Sequence, residues 1–219
     1  MRVGSNTALG SGQLIAADGV RLSSGTAVTL NNAALLNGAL TVAGAQSLAL
    51  VGALTGTAGA IVKTGTGTLT LAGNNTFGAT AAGGAGVTLN SGTLAVGSNA
   101  ALGAGSLQVG GASTLTATTN VALNNVVGLG ADLTVAGANT LALGGAIGGA
   151  GKVINSSTSA ATLVVGLDGS STVFSGQITR FTDATLAAVA LQGLRPIAAG
   201  PGDTVVVMGL GLIGQLAVR

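Results

Sequence analysis

The chain has 219 residues, 40 of them Gly and 47% hydrophobic, with two Pro, three Phe and no Cys, His, Trp or Tyr. Without His or Cys, metal sites built on imidazole or thiolate and nucleophile–His catalysis are excluded, and seven Lys+Arg against five acids leave a net charge of +2. The apolar richness argues against disorder, the scarce Pro and irregular Gly against collagen, and the lack of a basic cluster against nucleic-acid binding.

Met1 is followed by Arg-Val-Gly-Ser-Asn, with no apolar stretch of the signal-peptide kind. No apolar run reaches the roughly 18–20 residues of a spanning helix. An exported protein with this sequence is therefore expected to be a piece of a longer precursor. The acids Asp18, Asp132, Asp168, Asp183 and Asp203 are scattered, and no cluster points to a carboxylate pair or a calcium loop, which leaves open only a pair that the fold brings together from distant positions.

From Val3 onward a long unit occurs twice. Val3-Gly-Ser-Asn-Thr-Ala-Leu-Gly10 returns as Val96-Gly-Ser-Asn-Ala-Ala-Leu-Gly103, and Val28-Thr-Leu-Asn-Asn32 as Val121-Ala-Leu-Asn-Asn125. Leu40-Thr-Val-Ala-Gly-Ala45 returns unchanged at 133–138, and Leu48-Ala-Leu50 at 141–143. The four pairs share one offset, which relates a copy at about 3–60 to one at about 96–154. Within each copy, short runs such as Leu40-Thr-Val, Leu48-Ala-Leu, Thr68-Leu-Thr-Leu71 and Thr93-Leu-Ala-Val96 alternate apolar with small or polar residues. That alternation predicts half-buried strands, with Gly, Asn-Asn and Ser-Gly between them supplying turns. Strands of three to five residues bury their apolar side only by stacking on further copies. A membrane barrel needs longer strands and aromatic girdles, and a sandwich leaves the long repeat unexplained. The expected fold class is all-β, a parallel β-helix (β-solenoid) over residues 1–180.

The stretch Ile61-Val-Lys-Thr-Gly-Thr-Gly-Thr-Leu-Thr-Leu-Ala-Gly-Asn-Asn-Thr-Phe-Gly78, followed by Val87-Thr-Leu-Asn-Ser-Gly-Thr-Leu-Ala-Val-Gly97, resembles the autotransporter-associated β-strand repeat. Thr162-Leu-Val-Val-Gly166 and Ser171-Thr-Val-Phe-Ser-Gly176 are similar to flanking segments of such passengers, and the resemblance covers about residues 3–178. Phe77 stands where Tyr is usual, and residues 78–85 replace the usual Thr-Gly-Gly-Thr-Thr. The resemblance implies a parallel β-helix on a bacterial cell surface, exported through a C-terminal outer-membrane β-barrel that is absent from this sequence. Possible partners are then host or cell-surface ligands.

Two groups invite a ligand. Asn31, Asn32, Asn124 and Asn125 are read first as turn residues whose amides bond along the stack, and second as exposed contacts. Thr64, Thr66, Thr68 and Thr70 are weighed as an ice-binding array. Such an array needs matching Thr on successive coils, and the stretch after Lys152 (Val-Ile-Asn-Ser-Ser) does not repeat them.

Texture changes in the tail, 181–219, which is expected to be an α/β stub or a helical cap. Residues 183–194 read as a helix, and Pro201-Gly-Asp-Thr-Val-Val-Val-Met208 as a strand entering Gly209-Leu-Gly-Leu-Ile-Gly214. With Val189-Ala-Leu-Gln-Gly-Leu-Arg195 before it, this string resembles the cofactor-domain start of medium-chain, zinc-type alcohol dehydrogenases. The resemblance would set Gly209, Gly211 and Gly214 against a dinucleotide pyrophosphate. One strand and the start of a helix do not make a doubly wound sheet, so no cofactor is expected to bind. The leading expectation is a structural or adhesive surface passenger segment, not an enzyme. A dehydrogenase remnant is the first alternative, and a carbohydrate- or ice-binding solenoid the second.

Overall fold

The computed structural model describes residues 1–80 and 84–157 and the strands at Leu163–Val165 and Ile178–Arg180. All of these lie in one unit, Met1–Thr182. The helix, strand and glycine fingerprint expected in the tail lie outside the described residues.

The first coil carries β1 (Arg2–Val3) and β2 (Leu14–Ala16). The second carries β3 (Val20–Ser24), β4 (Val28–Leu30) and β5 (Ala34–Leu36), and the third β6 (Ala39–Ala43), β7 (Leu48–Leu50) and β8 (Leu54–Thr55). Coils four and five have two strands each, β9 (Ala60–Lys63) and β10 (Thr68–Leu71), then β11 (Ala85–Leu89) and β12 (Thr93–Val96). Coil six holds β13 (Ser106–Val109), β14 (Ser113–Ala117) and β15 (Val121–Leu123). Coil seven holds β16 (Val127–Leu129), β17 (Leu133–Ala136) and β18 (Leu141–Leu143). The eighth holds β19 (Ile147–Gly149), β20 (Val153–Asn155) and β21 (Leu163–Val165), and β22 (Ile178–Arg180) follows.

Stacking these coils gives a parallel β-solenoid of about eight turns, the fold class expected from the repeats. Face one is the eight-stranded sheet β1-β3-β6-β9-β11-β13-β16-β19, and face two is the eight-stranded sheet β4-β7-β10-β12-β14-β17-β20-β22. The third face is two three-stranded blocks, β2-β5-β8 and β15-β18-β21, between which the described residues of coils four and five form no strand. Bonds from one coil to the next join residues 20–23 apart over most of the stack. One coil is longer, and Ser98 Oγ reaches back 25 residues to the Gly73 carbonyl.

The alternating runs behave as their pattern demands. Leu69 and Leu71 on β10 are buried while Thr68 and Thr70 are partly exposed, and Leu48 and Leu50 on β7 point inward around Ala49. Along face one, register stacks Val20, Leu40, Ile61, Val87, Leu107, Val127 and Ile147 into a single apolar column. Burying one such side chain contributes roughly 1.5–3 kcal/mol, which no strand of this length could gather alone.

The two copies of the long unit build the same local structure but sit one face out of phase. Strands β3 and β6 of the first copy lie on face one, whereas their counterparts β14 and β17 lie on face two. Likewise β4 and β7 on face two correspond to β15 and β18 on the third, and β5 on the third to β16 on face one. Repeat-related residues are therefore never stacked neighbours. Local detail survives the rotation. Gly56 (φ 115) and Gly149 (φ 112) have the same left-handed backbone, and a Cβ on either would run into a carbonyl oxygen of the coil below, that of Leu36 or Leu129.

Replacing Gly56 by Ala should therefore cost stability by about 1–3 kcal/mol from backbone strain alone, with the carbonyl clash added. Gly148, where an added methyl meets nothing within 4 Å, should accept Ala with little change. Urea unfolding followed by circular dichroism compares the two variants, and equal midpoints would contradict the stacking geometry.

Candidate functional site

The side chains that carry chemistry are mostly engaged in holding coils together. Asp18 Oδ1 accepts the Ala39 amide at 2.8 Å, and Asp132 Oδ1 accepts the Lys152 amide at 2.9 Å. Each carboxylate thus satisfies a donor at the corner one coil on. Asn75, 4% exposed, does both jobs: its Oδ1 accepts the Leu54 amide and its Nδ2 donates to the Ala101 carbonyl. Among the described residues, no three His, Cys, Asp or Glu side chains gather in one place. Asp168, Asp183 and Asp203 lie outside the described residues.

Lys63 breaks the pattern of its column. Register places it between Val42 and Leu89, both buried, and it is itself 2% exposed. Its stem fills an aliphatic position. The ammonium reaches the corner between faces one and two, where Nζ donates to the carbonyls of Thr64 (3.2 Å), Gly65 (2.7 Å) and Ser91 (3.2 Å). All three protons are used on backbone acceptors. Burial holds its pKa below the ordinary lysine value. Lys152, by contrast, is exposed, and the inward corner position in the second copy falls to Asn155. No sequence signal separated the two lysines.

The four paired asparagines divide evenly. Asn32 Nδ2 donates to the Gly10 and Gly12 carbonyls at 3.0 and 2.7 Å, and Asn125 Nδ2 to those of Gly103 and Gly105 at the same distances. These two are the coil-to-coil turn residues expected. Asn31 and Asn124 are exposed and have no hydrogen-bond partner among the described residues. Each stands at the rim of a recess. One, of 300 Å³, is formed by the turn containing Asn6 and Gly10 and by the corner at Asn31, Asn32 and Ala33. The other, of 510 Å³, is formed by the turn containing Asn99 and Gly103, by the corner at Asn124, Asn125 and Val126, and by Gly78, Ala79 and Gly84, a wall that the first recess lacks. Asn6 and Asn99 were not singled out in the sequence, although the repeated Gly-Ser-Asn marks both. Their Oδ1 atoms accept the amides of Thr29 (2.8 Å) and Ala122 (2.9 Å) on the coil above.

The threonine expectation needs correction. Thr64 and Thr66 lie in the corner before β10, and only Thr68 and Thr70 are on its outer side. The neighbours of β10 are β7 and β12, not the repeat-related stretch after Lys152, because the copies are out of phase. Register then does stack matching threonines: Thr68, Thr93, Thr114 and Thr134 occupy one outward column on four successive coils of face two. In the adjacent column Thr29, Ala49, Thr70, Ala95, Thr116 and Ala136 alternate.

Gly209, Gly211 and Gly214 lie outside the described residues. Comparison with protein-family models, curated proteins and solved structures returns no match to the chain.

The buried ammonium makes a pH signature. Because folding lowers the pKa of Lys63, between that lowered value and 10.5 the unfolded chain keeps a proton that the folded chain has released. Stability should accordingly rise with pH through this window. Few other groups titrate there, since the chain has no Tyr or Cys. Urea midpoints measured from neutral pH upward should increase for the parent chain. They should stay flatter for Lys63→Met, which should also lose about 1–3 kcal/mol at neutral pH by stripping donors from the partly buried carbonyls of Thr64, Gly65 and Ser91.

Proposed function

We propose that this chain is a structural segment of a bacterial surface protein, a stalk or adhesive passenger without catalytic machinery, held in a longer precursor and exported through an outer-membrane barrel. The observation that carries this reading is the fate of the motif-like stretch. Residues 61–71 and 87–96 become β9, β10, β11 and β12 on two continuous faces, joined by the Lys63 corner. A stack of this kind unfolds and refolds coil by coil, because each coil contacts only its neighbours, which suits passage through a narrow pore. Its outside, dominated by Thr, Ala, Gly and Asn, suits display in water without strong charge. The Gly209, Gly211 and Gly214 fingerprint plays no part in this role.

Placed between a signal peptide and a translocator barrel, residues 1–180 should reach the surface of a Gram-negative cell and resist added protease there. Retention inside the cell, or rapid degradation once displayed, would count against the proposal.

The threonine columns favour a second reading, adsorption to ice. Threonine hydroxyl and methyl groups recur at about 4.8 Å on four successive coils, and on alternate coils a second threonine lies about 6.6 Å along the strand, a regular template for ordered water. Purified protein should then slow ice recrystallisation, and Thr114→Lys, which puts a charge mid-array, should abolish the effect. Absence of any effect in the parent chain disposes of this reading.

A further inference from the structure

We infer that the two asparagine-rimmed recesses are repeat-related subsites for an uncharged polyhydroxylated ligand, a neutral oligosaccharide. This deepens the adhesive reading above by giving it a ligand class, and depends on that reading only for its biological setting.

The first support is that the recess is built twice from matching residues, despite the change of face. Asn6 and Asn99, Gly10 and Gly103, and Asn32 and Asn125 occupy equivalent places in the two cavities. The recurrence follows from the repeated sequence, and it leaves the chain with two copies of the same lining and the same hydrogen bonds at separate places on the stack. In both, the Asn32 or Asn125 amide ties down the turn that forms one wall, so the wall is set before any ligand arrives. In the larger recess, Gly103 lies directly on Phe77, whose buried ring backs the wall.

The second support is the inventory of unused valences. Asn99 spends its Oδ1 on the Ala122 amide and keeps two N–H donors, whereas Asn125 spends its Nδ2 and keeps its Oδ1 as an acceptor. Asn124 keeps both ends of its amide. The same account holds for Asn6, Asn32 and Asn31. Donors and acceptors thus stand side by side, which suits hydroxyl groups that give and take a hydrogen bond at once. Among the described residues no ionisable side chain lines either recess, so nothing in the described lining selects an anion or a cation. At 300 and 510 Å³ the recesses fall in the lower range of small-ligand sites. Among the described residues no exposed aromatic stands by for a sugar ring to stack on, and each subsite is accordingly weak by itself.

Saturation-transfer NMR on the full chain, with maltohexaose and cellohexaose as neutral probes and a heparin hexasaccharide as the anionic one, tests the assignment. Neutral probes should saturate in the millimolar range and the anionic probe should not. Asn31→Ala and Asn124→Ala should each remove part of the signal, and the double variant should bind about tenfold more weakly or worse. Circular dichroism and melting should stay unchanged in these variants, because neither side chain bonds within the stack. No neutral binding, binding undiminished in the folded double variant, or a preference for the anionic probe would each overturn the inference. Failure of surface display would leave these titrations untouched, and absent sugar binding would leave the stalk role standing.

Discussion

Everything in this molecule depends on one requirement: each coil must return its backbone amides and carbonyls to the coil beneath in register. The strands are two to five residues long and have no partners within their own coil. Their hydrogen bonds run only up and down the stack, so a strand exists because its neighbours do. The corners must obey the same rule, and there the backbone cannot do it alone. Asp18, Asn75, Asp132 and the ammonium of Lys63 fill the gaps, each completing a bond that a turning main chain leaves open. Side-chain chemistry that would elsewhere invite a catalytic interpretation is here spent on continuity.

Much of the fold was legible from residues alone. Alternation in Leu40-Thr-Val and Thr68-Leu-Thr-Leu marks which side chains face inward, since a strand has period two and a small, thin core admits little but Leu, Val, Ile and Ala. Frequent Gly marks the corners. What the residues did not disclose is phase. A repeat unit much longer than one coil reveals self-similarity, but not how many coils it spans, and here it runs one face past four whole coils. Stacked neighbours are thus unrelated in sequence, which is why the threonine column of face two escaped a comparison made between repeat-equivalent stretches.

The candidate site was half legible for a related reason. Asn-Asn announces a turn, yet nothing local distinguishes the member that bonds to the coil below from the one that faces outward. That division is decided by where Gly10, Gly12, Gly103 and Gly105 arrive from the preceding coil, a contact at a distance of 20 to 22 residues. Lys63 and Lys152 differ likewise. One falls on an inward corner position and the other does not, and only register tells them apart.

The one-face phase shift also sets the direction in which repeated features point. The recesses at Asn31 and Asn124 open toward different sides of the fibre, about four coils apart along its axis, or about 20 Å at the usual strand spacing. A flat, rigid surface can meet only one of them at a time. A flexible polymer that winds part of the way around the stack can meet both, gaining from the second contact by local concentration. A duplication in whole coils would have lined the features up along one edge, like teeth on a comb. This chain instead carries them like the thread of a screw, a geometry for being wrapped rather than for lying flat.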